Sequence, residues 1–307
     1  MAEFSAKDVA ELRKQTGCGM MDCKNALKDA NGDFEAAVKL LREKGMAATA
    51  KKASRIAAEG LVDVMTIGST TAIVEVNSET DFVAKNASFQ EFVKDVLKTI
   101  IANKPADVDA LLASSFVNGG TVAEALSDKT YTIGEKLSIR RFVLVDGVVS
   151  TYVHGGGATG VVVCFAADEA AVSNDGFAEF AKNIALQAAA LPSQYVDRDA
   201  VPASVLAEER TILEKQMEQD PKMANKPQQV LEKIVEGKLG KFYENNCLLH
   251  QLYVKDDSMT VAKYVESTAK ALGGSIKVTG YVRYDKGEGL EKREEDFAAE
   301  IQKMVQG

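Results

Sequence analysis

The chain is 307 residues long, with 46% hydrophobic and 27% charged residues, enough for two or three folded units and too balanced for a disordered tail. Thirty-seven Lys and Arg against 45 Asp and Glu leave a net charge of −8, which excludes a surface devoted to nucleic-acid phosphates. Five prolines, four scattered cysteines (Cys18, Cys23, Cys164, Cys247), two histidines (His154, His250) and the lack of any long apolar run exclude a Pro-rich spacer, a zinc knuckle, a histidine metal site and a membrane span.

The first residues, MAEFSAKDVAELRKQ, lack a basic stretch followed by an apolar one, so a cytoplasmic location is expected. Residues 1–55 carry a local charge of +3, leaving −11 for the remainder. Within them Val9 and Leu12, then Met20, Met21, Cys23, Ala26 and Leu27, then Phe34, Ala37, Val38 and Leu41 recur at helical spacing, which predicts three short helices. Gly17 and Gly19 separate the first two, Asn31-Gly32 turns the chain, Asp33 caps the third helix and Gly45 closes it. So small a module has little core and suits docking better than catalysis. Residues 46–59 predict a helical connector, on which Lys51, Lys52 and Arg55 read as a solvated face.

From Gly60 the period becomes that of strands. Leu61–Ile67 and Thr71–Val76 make a hairpin across Gly68-Ser69-Thr70, and a helix over Ser88–Ala102 sets Phe89, Phe92, Val93 and Val96 on one face. Asp107–Asp128 reads as helical and Leu137–Val145 as a strand. The pattern then returns: GVVSTYV from Gly147, a turn at Gly155-Gly156-Gly157, a strand over Thr159–Ala166, and a helix lined by Phe177, Phe180, Ala181 and Ile184. Phe89 and Phe92 precede Phe177 and Phe180 by 88 residues, which predicts an internal repeat of two subdomains. Residues 203–218 and 227–239 predict an antiparallel helical hairpin, with Pro227 at the first position of its second helix. A helix at Val261–Leu272, a strand at Ile276–Tyr284, a turn at Gly287–Gly289 and a last helix through Phe297, Ile301 and Met304 complete the chain.

The class is therefore α+β: an N-terminal three-helix module, duplicated core subdomains with antiparallel sheets, and an inserted antiparallel helical hairpin. The units run 1–55, 56–145 for the first core subdomain, 146–200 and 246–290 for the second, 201–245 for the hairpin, and 291–307 for the last helix.

Chemistry is scarce. Gly155-x-Gly157-x-x-Gly160 has the dinucleotide spacing, but a strand follows it where a helix N-terminus is required, and no phosphate-loop motif occurs, so no cofactor is expected. Neither histidine lies in a nucleophile context; a hydrolase or transferase using His154 is a distant reading, and the chain is expected not to be an enzyme. The acidic pairs Glu208-Glu209 and Glu294-Glu295 sit among Lys and Arg on helical faces and read as solvated. One segment differs: after a strand ending at Val76 comes Asn77-Ser78-Glu79-Thr80-Asp81-Phe82-Val83-Ala84-Lys85-Asn86, a large ring beside a carboxylate at a strand-to-helix connection. Either Phe82 is core and Thr80 or Asp81 caps the helix, or Phe82 is an exposed wedge for a partner's cleft with Asp81 acting on polar groups beside it.

Several motifs resemble the bacterial elongation factor Ts family: TGCGMMDCKNAL at Thr16–Leu27, NGDFEAA at Asn31–Ala37, AAEG at Ala57–Gly60, EVNSETDFVAKN at Glu75–Asn86, IRR at Ile139–Arg141, HGGG at His154–Gly157, EGK at Glu236–Lys238, and GEGLEK with DFAAE near the end. The resemblance spans nearly the whole chain. It implies a guanine nucleotide exchange factor for the GTPase elongation factor Tu, with no direct nucleic-acid or membrane partner and with room for a dimer within the factor Tu/factor Ts complex. It likens the three helices to a ubiquitin-associated-like domain docking through Leu12, Arg13, Thr16, Gly17, Gly19, Met20 and Met21. It gives Thr80, Asp81, Phe82, Val83, Ala84, Lys85 and Asn86 the role of displacing the GTPase's magnesium and phosphate-binding elements. The tip at His154, Gly155 and Gly156 becomes a second contact; where the family commonly continues with Arg-Ile, this chain has Ala158-Thr159. The runner-up is a non-exchanging adaptor or holdase.

Overall fold

The computed structural model describes residues 4–220 and 227–292. The last predicted helix, with Glu294-Glu295 and the DFAAE motif, lies outside them, as do residues 221–226. The chain forms two compact units. The first contains the described residues up to Leu144 together with 153–159 and those from Tyr284 onward; the second contains 145–152 and 160–283.

The first unit opens with α1 (Ala6–Thr16), α2 (Met20–Asp29) and α3 (Phe34–Lys52). Ser5 and Asp8 form a reciprocal capping box at the start of α1, Gly17 closes it with φ +68°, and Asp33 caps α3 by accepting from the Ala36 amide at 3.0 Å. Val9, Leu12, Cys23, Ala26, Leu27, Ala37 and Leu41 form their shared core. Gly45 does not close α3. The helix runs through it to Lys52, because Ala-rich residues 46–50 continue it without a stop signal and the missing side chain lets Gly45 lie against Ser127, Asp128 and Tyr131. The connector is consequently shorter than expected: after Lys52 a turn leads straight into a strand.

Strands β1 (Glu59–Ile67) and β2 (Thr70–Ser78) pair antiparallel from Glu59↔Ser78 to Ile67↔Thr70 across a two-residue turn. There follow α4 (Asp81–Ala84), α5 (Ala87–Asn103), α6 (Val108–Ala113), α7 (Val122–Ile133) and β3 (Ser138–Asp146), which completes the sheet β1-β2-β3. The expected single helix at 107–128 is two, because Gly119 and Gly120 both take positive φ and a bridge joins Ser115 to Thr121 between them. Ala72, Val74 and Val76 of β2 pack with Phe89, Phe92, Val93 and Val96 of α5. The alternation of the strand then sends Ile73, Glu75 and Asn77 to the other face, and all three are buried as well.

Glu75 is therefore a carboxylate without solvent access. Its oxygens accept from Arg140 Nη1 at 3.0 and 3.2 Å, Arg141 Nε at 2.6 Å, Asn77 Nδ2 at 3.1 Å and the Gly287 amide at 2.8 Å. Arg141 also stacks on Tyr284, 4.0 Å from the ring centroid. Burial pushes the carboxyl up, but the Gly287 amide, Asn77 and the two guanidiniums outweigh it and hold the group below its ordinary value.

The second unit holds most of β4 (Val148–His154) and β5 (Thr159–Ala167), then α8 (Glu169–Val172), α9 (Gly176–Ala190), α10 (Ala203–Glu218), α11 (Gln228–Asn246), β6 (Leu252–Tyr253), β7 (Asp256–Thr260), α12 (Val261–Leu272) and β8 (Ile276–Asp285). The sheet order is β4-β5-β8, with β6 and β7 as a separate antiparallel pair. Phe177 and Phe180 pack with Phe165, Val161 and Ile184. Helices α10 and α11 bury Leu213, Met217, Val235 and Leu239 against each other. Pro227 stands at the N-cap of α11 and not inside it, and α11 continues to Asn246, past the expected end at 239.

Substituting Glu75→Gln takes the buried carboxylate from Arg140 and leaves Arg141 with only the exposed Glu288, 3.0 Å away, and the expected loss is about 2–4 kcal/mol in denaturant unfolding. Because the folded carboxyl titrates below the unfolded one, its contribution is complete above about pH 4.3 and disappears as pH falls through the lower folded value. The variant's stability should accordingly lose that acid-range slope; an unchanged slope would show that Glu75 does not set it.

Candidate partner-docking site

Helix α4 has only four residues, too few to hold itself, and it is positioned by what surrounds it. Val83 and Ala84 are buried beneath it, whereas Phe82 is 78% exposed, so the inward-facing reading of that ring is excluded. Thr80 occupies the N-cap position, yet its side chain makes no bond to the helix amides. Its hydroxyl and its amide instead donate to Glu135, at 2.7 and 3.0 Å. Asn86 caps the following helix, accepting from the Ser88 amide at 2.8 Å. Lys85 Nζ donates to Asp81 Oδ2 at 2.6 Å and lies 5.9 Å from the Phe82 ring centroid. That bond from Lys85 holds the Asp81 carboxyl below its ordinary value, so it is charged at neutral pH.

Phe82 lines an open groove of about 400 Å³ together with Thr16, Gly17, Val83, Asn86 and Lys129. Residues of two of the three sequence-predicted patches thus line one depression. Arg13, Gly19, Met20 and Met21 are exposed on the same three-helix module, with Met21 63% accessible. Leu12 is a correction: three residues after Val9 on α1, it faces inward and is fully buried, so it belongs to the core of the module and not to its surface. Val83 and Ala84 support their segment in the same way.

The third patch, His154, Gly155 and Gly156, is exposed at the β4–β5 turn. The chain had been divided so that this tip fell in the second subdomain; residues 153–159 pack with the first unit. Gly157 shows how. Its carbonyl accepts from the Val62 amide of β1 at 2.8 Å, its φ is +100°, and a Cβ there would come 2.6 Å from that of Leu61. The Ala158 carbonyl accepts from the Lys286 amide at 2.9 Å and Thr159 Oγ1 donates to Asp285 at 2.6 Å, so both residues are tied to the 285–286 segment while the Ala158 side chain stays exposed.

Sequence reasoning did not find Glu79, Glu135 and Lys136. Arg55, read as solvated, pairs with Glu79 at 3.1 Å. Burial pushes the thiols of Cys18, Cys164 and Cys247 up, the last to about 11, which keeps them protonated at neutral pH. Among the described residues no helix is long and apolar enough to cross a membrane.

The elongation factor TS family model matches residues 79–288, from the carboxylate that opens the Phe82 segment to the turn that closes on Glu75. The chain belongs to the elongation factor Ts family. It is 46% identical over 308 residues to the elongation factor Ts of Syntrophotalea carbinolica (strain DSM 2380 / NBRC 103641 / GraBd1), covering 99% of both chains.

Substituting Gly157→Val should cost about 2–4 kcal/mol, since a β-branched residue tolerates neither the positive φ nor the contact with Leu61. Thermal unfolding measures this, and a loss under about 0.5 kcal/mol would refute the close docking of the tip.

Proposed function

We propose that this protein is a guanine nucleotide exchange factor for elongation factor Tu, acting in translation elongation. The observation that carries the reading is Phe82: a ring held in water on a short, anchored helix, beside a charged carboxylate and lining one groove with Thr16 and Gly17. The family supplies the partner; the geometry supports the means. Residues 1–55 serve as the ubiquitin-associated-like docking module, the two sheet-and-helix halves as duplicated core subdomains, and α10 with α11 as the protruding hairpin.

A GTPase holds GDP through phosphate-loop amides and a magnesium ion that neutralises the phosphates, so shifting the elements around the metal weakens both. Phe82 enters between those elements and Asp81 exchanges Lys85 for polar groups of the partner. Burying the ring contributes roughly 2 kcal/mol to the complex with the open, nucleotide-poor state. Each tenfold gain in GDP release needs only about 1.4 kcal/mol, so the ring supplies one to two such factors and its neighbours the rest. By linkage, the factor's preference for the open state makes incoming nucleotide weaken the factor's own binding equally, and GTP expels it. No covalent step is involved. The His154 tip makes the second contact, and the +3 module on a −11 body suits a protein partner better than a nucleic acid.

The test is stopped-flow release of fluorescent GDP from elongation factor Tu. Release should accelerate with the protein, and Phe82→Ala should slow the catalysed rate at least about tenfold while unfolding stability stays within about 1 kcal/mol. An unaltered release rate with the unmodified protein would eliminate exchange in favour of an adaptor. Sedimentation of the complex reads whether it holds one or two copies of each chain.

A further inference from the structure

Two carboxylates next to the Phe82 segment make a reciprocal arrangement. Glu79 accepts the Lys136 amide at 2.6 Å, while Glu135 accepts the Thr80 amide at 3.0 Å and the Thr80 hydroxyl at 2.7 Å. Adjacent residues of each segment thus exchange side-chain-to-backbone bonds with adjacent residues of the other, across more than 50 positions of sequence. A single bond leaves a segment free to rotate; two, offset by one residue and opposite in sense, fix its direction too. Hydrogen bonds to ionised carboxylates are also the strong ones.

The base of this clasp is rigid. Glu135 follows Gly134, which ends α7 in the left-handed conformation with φ +85°, so its backbone is launched directly from a packed helix. A third arm comes from the end of α3: Lys136 Nζ donates to the carbonyls of Ala53 and Arg55 at 2.7 and 2.8 Å, and Arg55 Nη1 reaches Glu79. One network therefore fastens the three-helix module, the end of α7 and the residue that opens α4. Phe82 lies two residues beyond Thr80, and the four-residue helix that carries it has no hydroxyl cap of its own, because that hydroxyl is given to Glu135.

We infer that Glu135 is a positioning residue for nucleotide exchange, with Glu79 as its counterpart: the clasp aims Phe82. The inference rests on the exchange reading for its functional half, whereas the aiming itself is measurable without a partner. The chain contains no tryptophan, so Phe82→Trp introduces the only indole, at an exposed position that tolerates it. Steady-state anisotropy of that indole reports its restraint.

Adding Glu135→Ala to Phe82→Trp should lower the anisotropy, and Glu135→Gln, which keeps the shape and one acceptor oxygen, should lower it less. Otherwise unmodified protein carrying Glu135→Ala should show a maximal GDP-release rate reduced about fivefold, with the half-saturating concentration within about twofold, since misaiming by an ångström costs rate more than encounter. In a Phe82→Ala background the Glu135 substitution should have no further effect on the maximal rate. Unchanged anisotropy in both Glu135 variants would overturn the clasp, whatever the exchange assay gives. An equal loss of rate with and without the ring, or a changed half-saturation at constant maximal rate, would overturn its action through Phe82. If unmodified protein fails to accelerate release, the exchange reading fails and with it the functional half, while anisotropy still decides the aiming.

Discussion

The first unit depends on a charge that has no access to water. Glu75 sits in the middle of a strand whose nine residues are all buried, where an isolated carboxylate would cost far more than the fold can spare. Five hydrogen bonds from four donor groups meet it: one from its own strand, two residues along; two guanidiniums from β3; and an amide beyond β8. Such a cluster contributes little net stability over an apolar core of equal volume, but it admits one arrangement only. Moving β3 by one residue would turn both arginines' neighbours to the wrong face, and losing the Gly287 segment would leave an oxygen without its shortest neutral donor. The carboxylate thereby specifies register for β2 and β3 and the return of the chain from its far end.

That rigidity is what the Phe82 segment uses. A four-residue helix contributes almost nothing to its own stability, and the strand leading into it is β2 itself, fixed at Glu75. From there the clasp with residues 135 and 136 carries the constraint outward to the surface, and Val83 and Ala84 close it from below. The exposed ring is therefore the end of a chain of fixed groups that begins in the core. The tip at His154 is set on the same body by different means: a backbone bond to the edge of β1, at a position that only glycine fits.

The elements that follow one periodicity were legible from the residues alone. The β1–β2 hairpin, the Phe89–Phe92 face of α5, the Phe177–Phe180 face of α9 and the span of α12 all follow local pattern and are all present. The errors lie where a local signal competed with packing. Gly45 reads as a stop, but a glycine packed against α7 carries the same letter as one that ends a helix. The hydrogen bonds of Glu79, Glu135 and Lys136 were not legible because most of their partners are backbone groups far along the chain. Glu75 did carry a usable sign: a single acid within TAIVEVNS, with paired arginines within IRRFVLV, is a charge in an apolar strand that calls for another.

An aromatic ring kept in water also has a consequence for the protein between encounters. Phe82 offers every copy an apolar contact that another copy could share, and a strand next to it would make an adhesive segment. Two features oppose this. The ring stands on a helix and not on a strand edge, so it has no unpaired backbone to extend, and Asp81 and Lys85 flank it with opposite charges that self-contact would have to strip of water. Those two residues act as gatekeepers: a partner bearing polar groups of its own can replace their pairing, and a second copy of the same ring cannot.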